Sequence, residues 1–253
     1  MFPGRLEQTG EVAIMWNAKR IAVVLPTYNE HLSIADCIRG FESLGIVDDI
    51  VVVNNNAHPD TSPAVAATSA REIHESVQGY GAAIRCGLAA TADADLVCVC
   101  EPDGTFAPED LLKLLPFTGD HDIVYGSRTV QTHIFSGANM GRFLRYGNYA
   151  VAKLAEALYN TVYLSDVGCT YRVMSRRAID DMKPVFRGIG STFGFEMMLV
   201  AARRKHNFVQ VPVGYHPRVG ESSVTGNKFK AFALGLQMIF LCFRLRVARF
   251  VRA

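Results

Sequence analysis

Four apolar runs constrain the fold of this 253-residue chain more than any other feature. They are rich in β-branched side chains and comprise residues 21–25, 50–53, 96–100 and 123–125. Because polar residues do not alternate with the apolar ones, the runs are typical of strands buried on both faces, which belong to parallel sheets covered by helices. We therefore predict an α/β domain with a mostly parallel central sheet, flanked by helices and joined by right-handed crossovers.

Helix signals fill the gaps between these runs. We expect helices over residues 33–44, 63–70 and 79–90, the first stopping at Gly45 and the last opening on glycine. Pro108 should begin a further helix, because proline and acidic side chains suit a first helical turn. This alternation of strand and helix supports the α/β assignment.

Segments rich in polar residues follow the four runs. They are PTYNE at 26–30, NNN at 54–56, EPDG at 101–104 and GSR at 126–128. Binding sites in parallel sheets lie beyond the carboxyl ends of the strands. One such segment is an ordinary turn, but four that share one edge of a sheet predict a pocket.

Glu101 and Asp103 stand one residue apart at the end of the third run, where Pro102 and Gly104 shape the turn. Hard oxygen donors of this kind suit Mg²⁺ or Mn²⁺, which completes its shell with phosphate and water. Acidic residues also gather at helix starts, so a capping role is the structural alternative. The chain has neither a GxGxxG fingerprint nor a Walker A motif, so a nucleotide site would be built differently.

Composition and charge narrow the functional class. A net charge of +2 with 49% hydrophobic residues is typical of a globular protein and not of a disordered tail. We expect no nucleic-acid partner for a chain so close to neutral. Residues 1–18 contain no apolar block long enough for a signal peptide, so we expect the protein in the cytoplasm.

The basic residues are concentrated at the C-terminus. Six Lys and Arg and no acidic residue follow Glu221, so residues 1–221 carry a charge of −4. Residues 231–243 are mostly apolar, but as a helix they would span about 20 Å, short of the ~30 Å core of a bilayer. An interfacial helix on the inner face of a membrane would suit the basic side chains. The alternative is a helix docked on the domain's own core.

Several segments occur in an order and spacing that resembles a known family. They are PTYNE, VVVNNN, GYGAAIRCGL, CEPDGTFAPEDL, YGSR, DVGCTYRVMSRRAI, FGFEMMLVAARR and VQVPVGYHPRVGESS. The set resembles family 2 glycosyltransferases of GT-A fold, in particular the branch of dolichol- and polyprenyl-phosphate sugar transferases. The likeness defines a domain over 19–223, between an N-terminal extension at 1–18 and a basic, amphipathic C-terminal helix within 224–253.

The resemblance implies roles by position. It assigns the nucleotide site to Pro26, Thr27, Tyr28, Glu30, Asn54, Gly81, Glu101, Pro102 and Asp103. Glu101 and Asp103 stand where the family has its DxD motif and would hold Mg²⁺ or Mn²⁺. It assigns the acceptor phosphate to Arg128, Arg142, Arg145 and Arg218, and direct catalytic roles to Asp103, Asp166 and Arg218. Arg142 and Arg145 lie in an amphipathic helix, so the alternative is that they simply face water.

Two positions depart from the family pattern. Asn54 stands where the family usually has Asp, and Glu101 replaces the first acid of DxD. Asn can donate as well as accept hydrogen bonds, so the base remains open between a UDP- and a GDP-linked donor. Glutamate keeps the charge but lengthens the side chain, so metal binding should depend mainly on Asp103.

The expected activity is inverting transfer of a sugar from a nucleotide diphosphate to a membrane-bound polyprenyl phosphate. A phosphomonoester, with its second pKa near ~6, is mostly dianionic at neutral pH and needs no base. One alternative is transfer to a hydroxyl of a soluble or glycolipid acceptor, which would need a base such as Asp166. A second alternative is a non-catalytic module that binds nucleotide sugars.

Overall fold

A computed structural model describes residues 16–138, 140–220 and 228–248, and within them seven strands form one sheet. The strands are β1 (Ile21–Thr27), β2 (Asp49–Asn54), β3 (Arg71–His74), β4 (Leu96–Val99), β5 (Ile123–Ser127), β6 (Arg172–Ser175) and β7 (Phe208–Pro212). Their order across the sheet is β3-β2-β1-β4-β6-β5-β7. β6 runs antiparallel to β4 and β5, and the other neighbours are parallel. The predicted α/β fold with a mostly parallel sheet is confirmed.

Helices cover both faces of the sheet. In the part of the chain that the structure describes, they are α1 (Ile34–Ser43), α2 (Thr61–Ala66), α3 (Tyr80–Ala90), α4 (Leu111–Leu114), α5 (Arg142–Tyr159), α6 (Arg176–Met182), α7 (Phe193–Arg203) and α8 (Lys228–Val247). The helix expected at Pro108 begins as a 3-10 turn over Pro108–Asp110 and continues into α4. The helices predicted over residues 33–44 and 79–90 agree with α1 and α3 to within about a residue at each end.

Successive side chains of β1 enter two separate cores. Val23 and Leu25 belong to the core between the sheet and helices α1 and α4. Ala22 and Val24 belong to the core on the opposite face, between the sheet and helices α3, α5 and α7. All seven residues of β1 are buried. Burial on both faces explains the continuous apolar run and leaves polar groups only the strand ends.

The sequence prediction missed three strands. β3 (Arg71–His74) lies at the edge of the sheet, where short, charged strands discourage pairing with other chains, and so it lacks an apolar run. β6 and β7 lie downstream of the four runs, and Arg172 and Gln210 interrupt their apolar character.

The C-terminal helix α8 packs against the domain. Leu241, Cys242 and Leu245 are buried in the core on the side of α5 and α7. No helix in the described ranges combines the length and apolar character needed to cross a bilayer. Residues 1–15 of the expected N-terminal extension, and the basic Arg249 and Arg252, lie outside the described residues.

The contact between α3 and the sheet generates a stability prediction. A Cβ added at Gly87 would lie 2.3 Å from Val24 Cγ1 and 3.1 Å from Val53 Cγ2. We expect Gly87→Ala to lower the free energy of unfolding by roughly 1–3 kcal/mol, because overpacking forces the helix from the sheet. The matched control, Gly147→Ala in α5, meets nothing within 4 Å and should raise that free energy by up to about 1 kcal/mol. Urea denaturation measures both, and equal effects would contradict this packing.

Candidate active site

A cleft of about 430 Å³ lies along the carboxyl edge of the parallel strands. The segments that follow β1, β2, β4 and β5 contribute to its wall, as expected from their polar endings. The start of β6, the segment before α7, and Leu234 and Met238 of α8 complete it. The cleft therefore joins a polar edge of the sheet to an apolar side of the C-terminal helix.

The cleft brings together eight of the residues expected at the site. They are Pro26, Thr27, Tyr28, Glu30, Glu101, Asp103, Arg128 and Arg218. Six others do not line it: Asn54, Gly81, Pro102, Arg142, Arg145 and Asp166. Contacts described below account for the positions of Asn54, Gly81, Pro102, Arg145 and Asp166, and Arg142 is exposed.

Asn55 faces the cleft, and its neighbour Asn54 does not. The Asn54 amide donates to Glu72 Oε1 at 2.6 Å, and its Oδ1 accepts from the Ala57 backbone N–H at 2.8 Å. The Asn55 Oδ1 accepts from the Gly79 N–H at 2.7 Å, which ties β2 to the start of α3. Asn54 therefore stabilises the loop after β2 from outside the cleft, whereas Asn55 and Gln78, which are hydrogen-bonded to each other, both line the cleft.

Gly81 and Pro102 act through the backbone. The Gly81 N–H donates to the Ile189 carbonyl at 2.8 Å, and a Cβ at Gly81 would lie 2.7 Å from Phe193 Cβ. The Pro102 carbonyl accepts from the Ser33 hydroxyl at 2.6 Å. Both residues hold neighbouring segments of the cleft wall in place, although neither is itself exposed to the cleft.

A cluster of carboxylates surrounds Arg218. Its Nη1 lies 2.9 Å from Asp103 Oδ2, and its Nη2 donates to Glu30 Oε1 at 2.7 Å. Asp103 Oδ1 also accepts from the Thr105 N–H and hydroxyl. Glu30 Oε2 accepts from the backbone N–H groups of Tyr28 and Asn29, so its position is fixed from two sides.

The cluster has an excess of negative charge. Burial, and then the like charge of Asp103, raise the pKa of Glu101 to about 8, although Arg218 opposes the shift. A divalent cation would relieve this repulsion, and carboxylate oxygens are its preferred ligands. The residues present therefore fit the expected Mg²⁺ or Mn²⁺, with Asp103 and Glu101 as the side chains that could hold it.

Asp166 holds Arg128 instead of facing the cleft. Its two oxygens accept from Arg128 Nε at 2.9 Å and Nη2 at 3.0 Å, and also from the Arg128 backbone N–H at 2.8 Å. Asn148 and the Gly168 N–H donate to the same carboxylate. Burial opposes ionisation, but the charge and hydrogen bonds of Arg128 lower the pKa of Asp166 to about 2. Asp166 is the candidate base for a hydroxyl acceptor. Its observed position does not suit that role, because a buried carboxylate that already accepts several hydrogen bonds accepts protons poorly.

Arg128, by contrast, faces the cleft with a fixed orientation. The bidentate pair with Asp166 locks its guanidinium plane, and its Cζ lies 5.3 Å from the ring centroid of Tyr215. Such a preorganised guanidinium suits phosphate. Arg142 is exposed at the start of α5, and Arg145 binds Gln131, which agrees with the alternative in which these arginines face water.

Sequence reasoning missed the inner end of the cleft, lined by Tyr80, Thr170 and Arg172. Arg172 is only 1% exposed, and its guanidinium donates to the carbonyls of Gly194 at 2.7 Å and Cys169 at 2.6 Å. The available signal was an arginine within an apolar stretch of DVGCTYRVM, since buried charges are rare without a specific role.

Comparison with known proteins confirms the family resemblance. The family described as Glycosyl transferase family 2 matches residues 22–182. The low-salt glycan biosynthesis hexosyltransferase Agl6 of Haloferax volcanii is 30% identical over 214 residues, which cover 82% of this chain and 50% of that protein. The dolichyl-phosphate hexose transferase of the same organism is 30% identical over 233 residues, or 90% of this chain and 96% of that protein. The chain thus spans half of the first relative and nearly all of the second.

Solved structures establish the fold. Glucosyl-3-phosphoglycerate synthase from Mycobacterium tuberculosis, in complex with Mn²⁺, UDP and glucosyl-3-phosphoglycerate, matches with a TM-score of 0.73 and 19% identity. The match covers 98% of this chain and 88% of that one. At this identity the likeness concerns the fold alone, and it confirms the expected GT-A architecture.

The low pKa of Asp166 predicts a dependence of stability on pH. Because the folded-state pKa of about 2 lies below the ordinary value, ionised Asp166 stabilises the fold above pH ~4, and the effect is lost as the pH falls towards 2. A difference of this size corresponds to about 2 kcal/mol. We expect Asp166→Asn to lower the free energy of unfolding at pH 7 by at least this amount, with the gap from wild type narrowing below pH ~4. Denaturation at a series of pH values measures it, and a constant gap would contradict the ion pair.

Proposed function

The chain belongs to glycosyl transferase family 2, and on that premise we propose that it moves a hexose, with inversion, from a UDP- or GDP-linked donor to a polyprenyl phosphate. The observation that carries the proposal is the composition of the cleft. A carboxylate cluster at Glu101 and Asp103, the fixed guanidinium of Arg128 and apolar side chains of α8 all border one space. A charged donor and a phosphate on an apolar chain together need these three features.

The donor would lie across the ends of β1, β2 and β4. Tyr28 and Asn55 border the end suited to the nucleoside, and Asp103 and Glu101 border the end suited to the diphosphate. Mg²⁺ or Mn²⁺ held by these carboxylates would offset the negative charge that grows on the departing diphosphate. Arg218, which lies between Glu30 and Asp103, borders the same space and would contact the same phosphates.

The acceptor phosphate would be oriented by Arg128 and Arg218. An oxygen of the acceptor phosphate forms a bond to C1 of the hexose as the bond from C1 to the diphosphate oxygen breaks, and the electron pair leaves with the nucleoside diphosphate. Attack from the opposite face inverts the configuration at C1. No proton has to be removed from a phosphate dianion, which agrees with the position of Asp166 outside the cleft.

The outer surface of α5 and α8 supports peripheral contact with the inner face of a membrane. The two helices pack together, and each exposes large apolar side chains: Phe143 and Tyr146 in α5, and Phe232, Leu236, Phe240 and Phe243 in α8. Arg142, Arg244 and Arg246 are exposed on the same helices, as suits anionic lipid. A lipid acceptor would thus approach the cleft beside α8.

Turnover tests the proposed function. Incubated with UDP- or GDP-hexoses, Mn²⁺ and detergent-solubilised undecaprenyl phosphate, the full chain should form a glycosylated lipid phosphate and release the nucleoside diphosphate. Undecaprenol should not be glycosylated, because the site has arginines for a phosphate and a buried Asp166. Products are read by mass spectrometry, and equal use of the alcohol would contradict a phosphate acceptor.

Asp103→Asn is the matched variant for this assay. It should lower turnover by at least 100-fold, the loss typical of removing electrostatic stabilisation from a transition state. It should also abolish the Mn²⁺-dependent rise in melting midpoint that UDP or GDP gives the wild type. Asp36→Asn, at a largely exposed carboxylate of α1, is the control and should change neither. If Asp103→Asn kept full turnover, the assigned metal and diphosphate site would be wrong.

Membrane contact is tested on α8. Phe240 is 67% exposed, and Phe240→Ser should weaken binding to vesicles containing phosphatidylglycerol roughly tenfold, since a buried Phe contributes about 1.5–3 kcal/mol. Leu112→Ser, at a 45% exposed residue of α4 on the other side of the sheet, is the control. Vesicle co-sedimentation measures both variants, and equal binding would contradict contact through α8.

A further inference from the structure

We propose that the inner end of the cleft recognises the transferred hexose, with the hydroxyls of Tyr80 and Thr170 as hydrogen-bonding groups for its hydroxyls. This inference rests on the proposed function and deepens it, since it assigns donor specificity to named residues.

The order of the strands places a donor across the cleft. Asn55 follows β2, Thr27 ends β1, Glu101 and Asp103 follow β4, and Thr170 precedes β6, which is the next strand in the sheet. A nucleotide sugar whose nucleoside lies near β1 and β2, with its diphosphate near β4, would extend its hexose towards β6. The inner end of the cleft is therefore the place that remains for the sugar.

Two hydroxyls at this inner end need a partner. The Tyr80 Oη and the Thr170 Oγ1 are buried and have no hydrogen-bond partner among the described residues, and both side chains line the cleft. A buried hydroxyl without a hydrogen bond costs about 1–3 kcal/mol. Sugar hydroxyls both donate and accept hydrogen bonds, so a hexose bound in the cleft could satisfy both groups.

The Tyr80 hydroxyl is suited to donate a hydrogen bond. Burial, followed by the charge of Glu101, raises the pKa of Tyr80 well above its usual range, so the hydroxyl keeps its proton at neutral pH. Tyr80 also lines the same cleft as Glu101 and Asp103. A group that contacts the hexose should lie beside the diphosphate in this way.

The surrounding backbone holds both residues in fixed positions. A Cβ at Gly79 would lie 2.2 Å from the Ile189 carbonyl oxygen, so glycine, with its φ of +149°, allows the start of α3 to touch the segment before α7. Arg172 donates to the carbonyls of Gly194, in α7, and of Cys169. In the described part of the chain no carboxylate pairs with Arg172, so its charge is satisfied by these carbonyls.

Tyr80→Phe and Thr170→Val test the inference, because each removes a hydroxyl and keeps the shape. The matched control is Tyr125→Phe, which removes another buried hydroxyl that has no partner among the described residues but does not line the cleft. Calorimetry on the full chain with Mn²⁺ compares UDP with UDP-glucose and GDP with GDP-mannose. Initial rates on the donor that the wild type turns over give kcat/KM.

We expect each cleft variant to weaken binding of the accepted sugar nucleotide, and to lower kcat/KM, roughly 3- to 10-fold, the loss for one hydrogen bond. Binding of the corresponding nucleoside diphosphate should stay within twofold, and Tyr125→Phe should leave both affinities unchanged. A variant that merely loosened the fold would weaken both ligands alike.

Two results would overturn the inference. If Tyr80→Phe and Thr170→Val change neither affinity, or weaken the diphosphate and the sugar nucleotide equally, these hydroxyls do not bind the hexose, and wild-type turnover still supports the proposed function. If the wild type neither binds nor turns over any nucleotide sugar, the proposed function itself fails, and the inference fails with it.

Discussion

Burial of the central strands on both faces is the constraint on which the rest of this structure depends. Every residue of β1 is buried, and its side chains alternate between two cores. Because neither face can accept an unpaired polar group without a large cost, the polar residues of this region collect where the strands end. The cleft is thus a consequence of how the sheet is covered, and the same constraint places carboxylates, amides and arginines side by side.

The ionisable groups at that edge fall into two sets with different net charge. Asp166 forms a bidentate ion pair with Arg128, and this pair holds the Arg128 guanidinium towards the cleft. Glu30 and Asp103 share Arg218 between them, and burial together with the like charge of Asp103 raises the pKa of the neighbouring Glu101 to about 8. One part of the edge is therefore suited to an anion and the neighbouring part to a cation, as the proposed reaction between a nucleotide sugar and a lipid phosphate requires.

How much of this could be predicted from the sequence depends on which physical signal each element carries. β1, β2, β4 and β5 were predictable because burial on two faces requires a continuous apolar run. β3 was not, because an exposed edge strand such as Arg71–His74 needs no apolar face. Most of the strand-end residues were correctly placed at one cleft for the same reason.

Finer features of the site depend on rotation and on contacts distant in the chain. Three consecutive Asn residues begin at the last residue of β2. Their sequence does not tell which one faces the cleft, and in the structure Asn55 does so while Asn54 donates to Glu72. The pairing of Asp166 with Arg128 joins residues 38 positions apart, so the sequence suggested the importance of both residues without their relationship. Hydroxyls such as that of Tyr80 follow no sequence pattern, and they are noticed only because they have no hydrogen-bond partner among the residues that the structure describes.

Helix α8 takes part in the cleft, in the core and in the outer surface of the domain. Leu234 and Met238 border the cleft, Leu241 and Leu245 anchor the helix in the core, and Phe240 projects outwards. A single helix therefore supplies side chains to the cleft wall, to the core and to the outer surface. Under the proposed function, the helix that contacts the membrane is also a wall of the cleft in which the sugar is transferred.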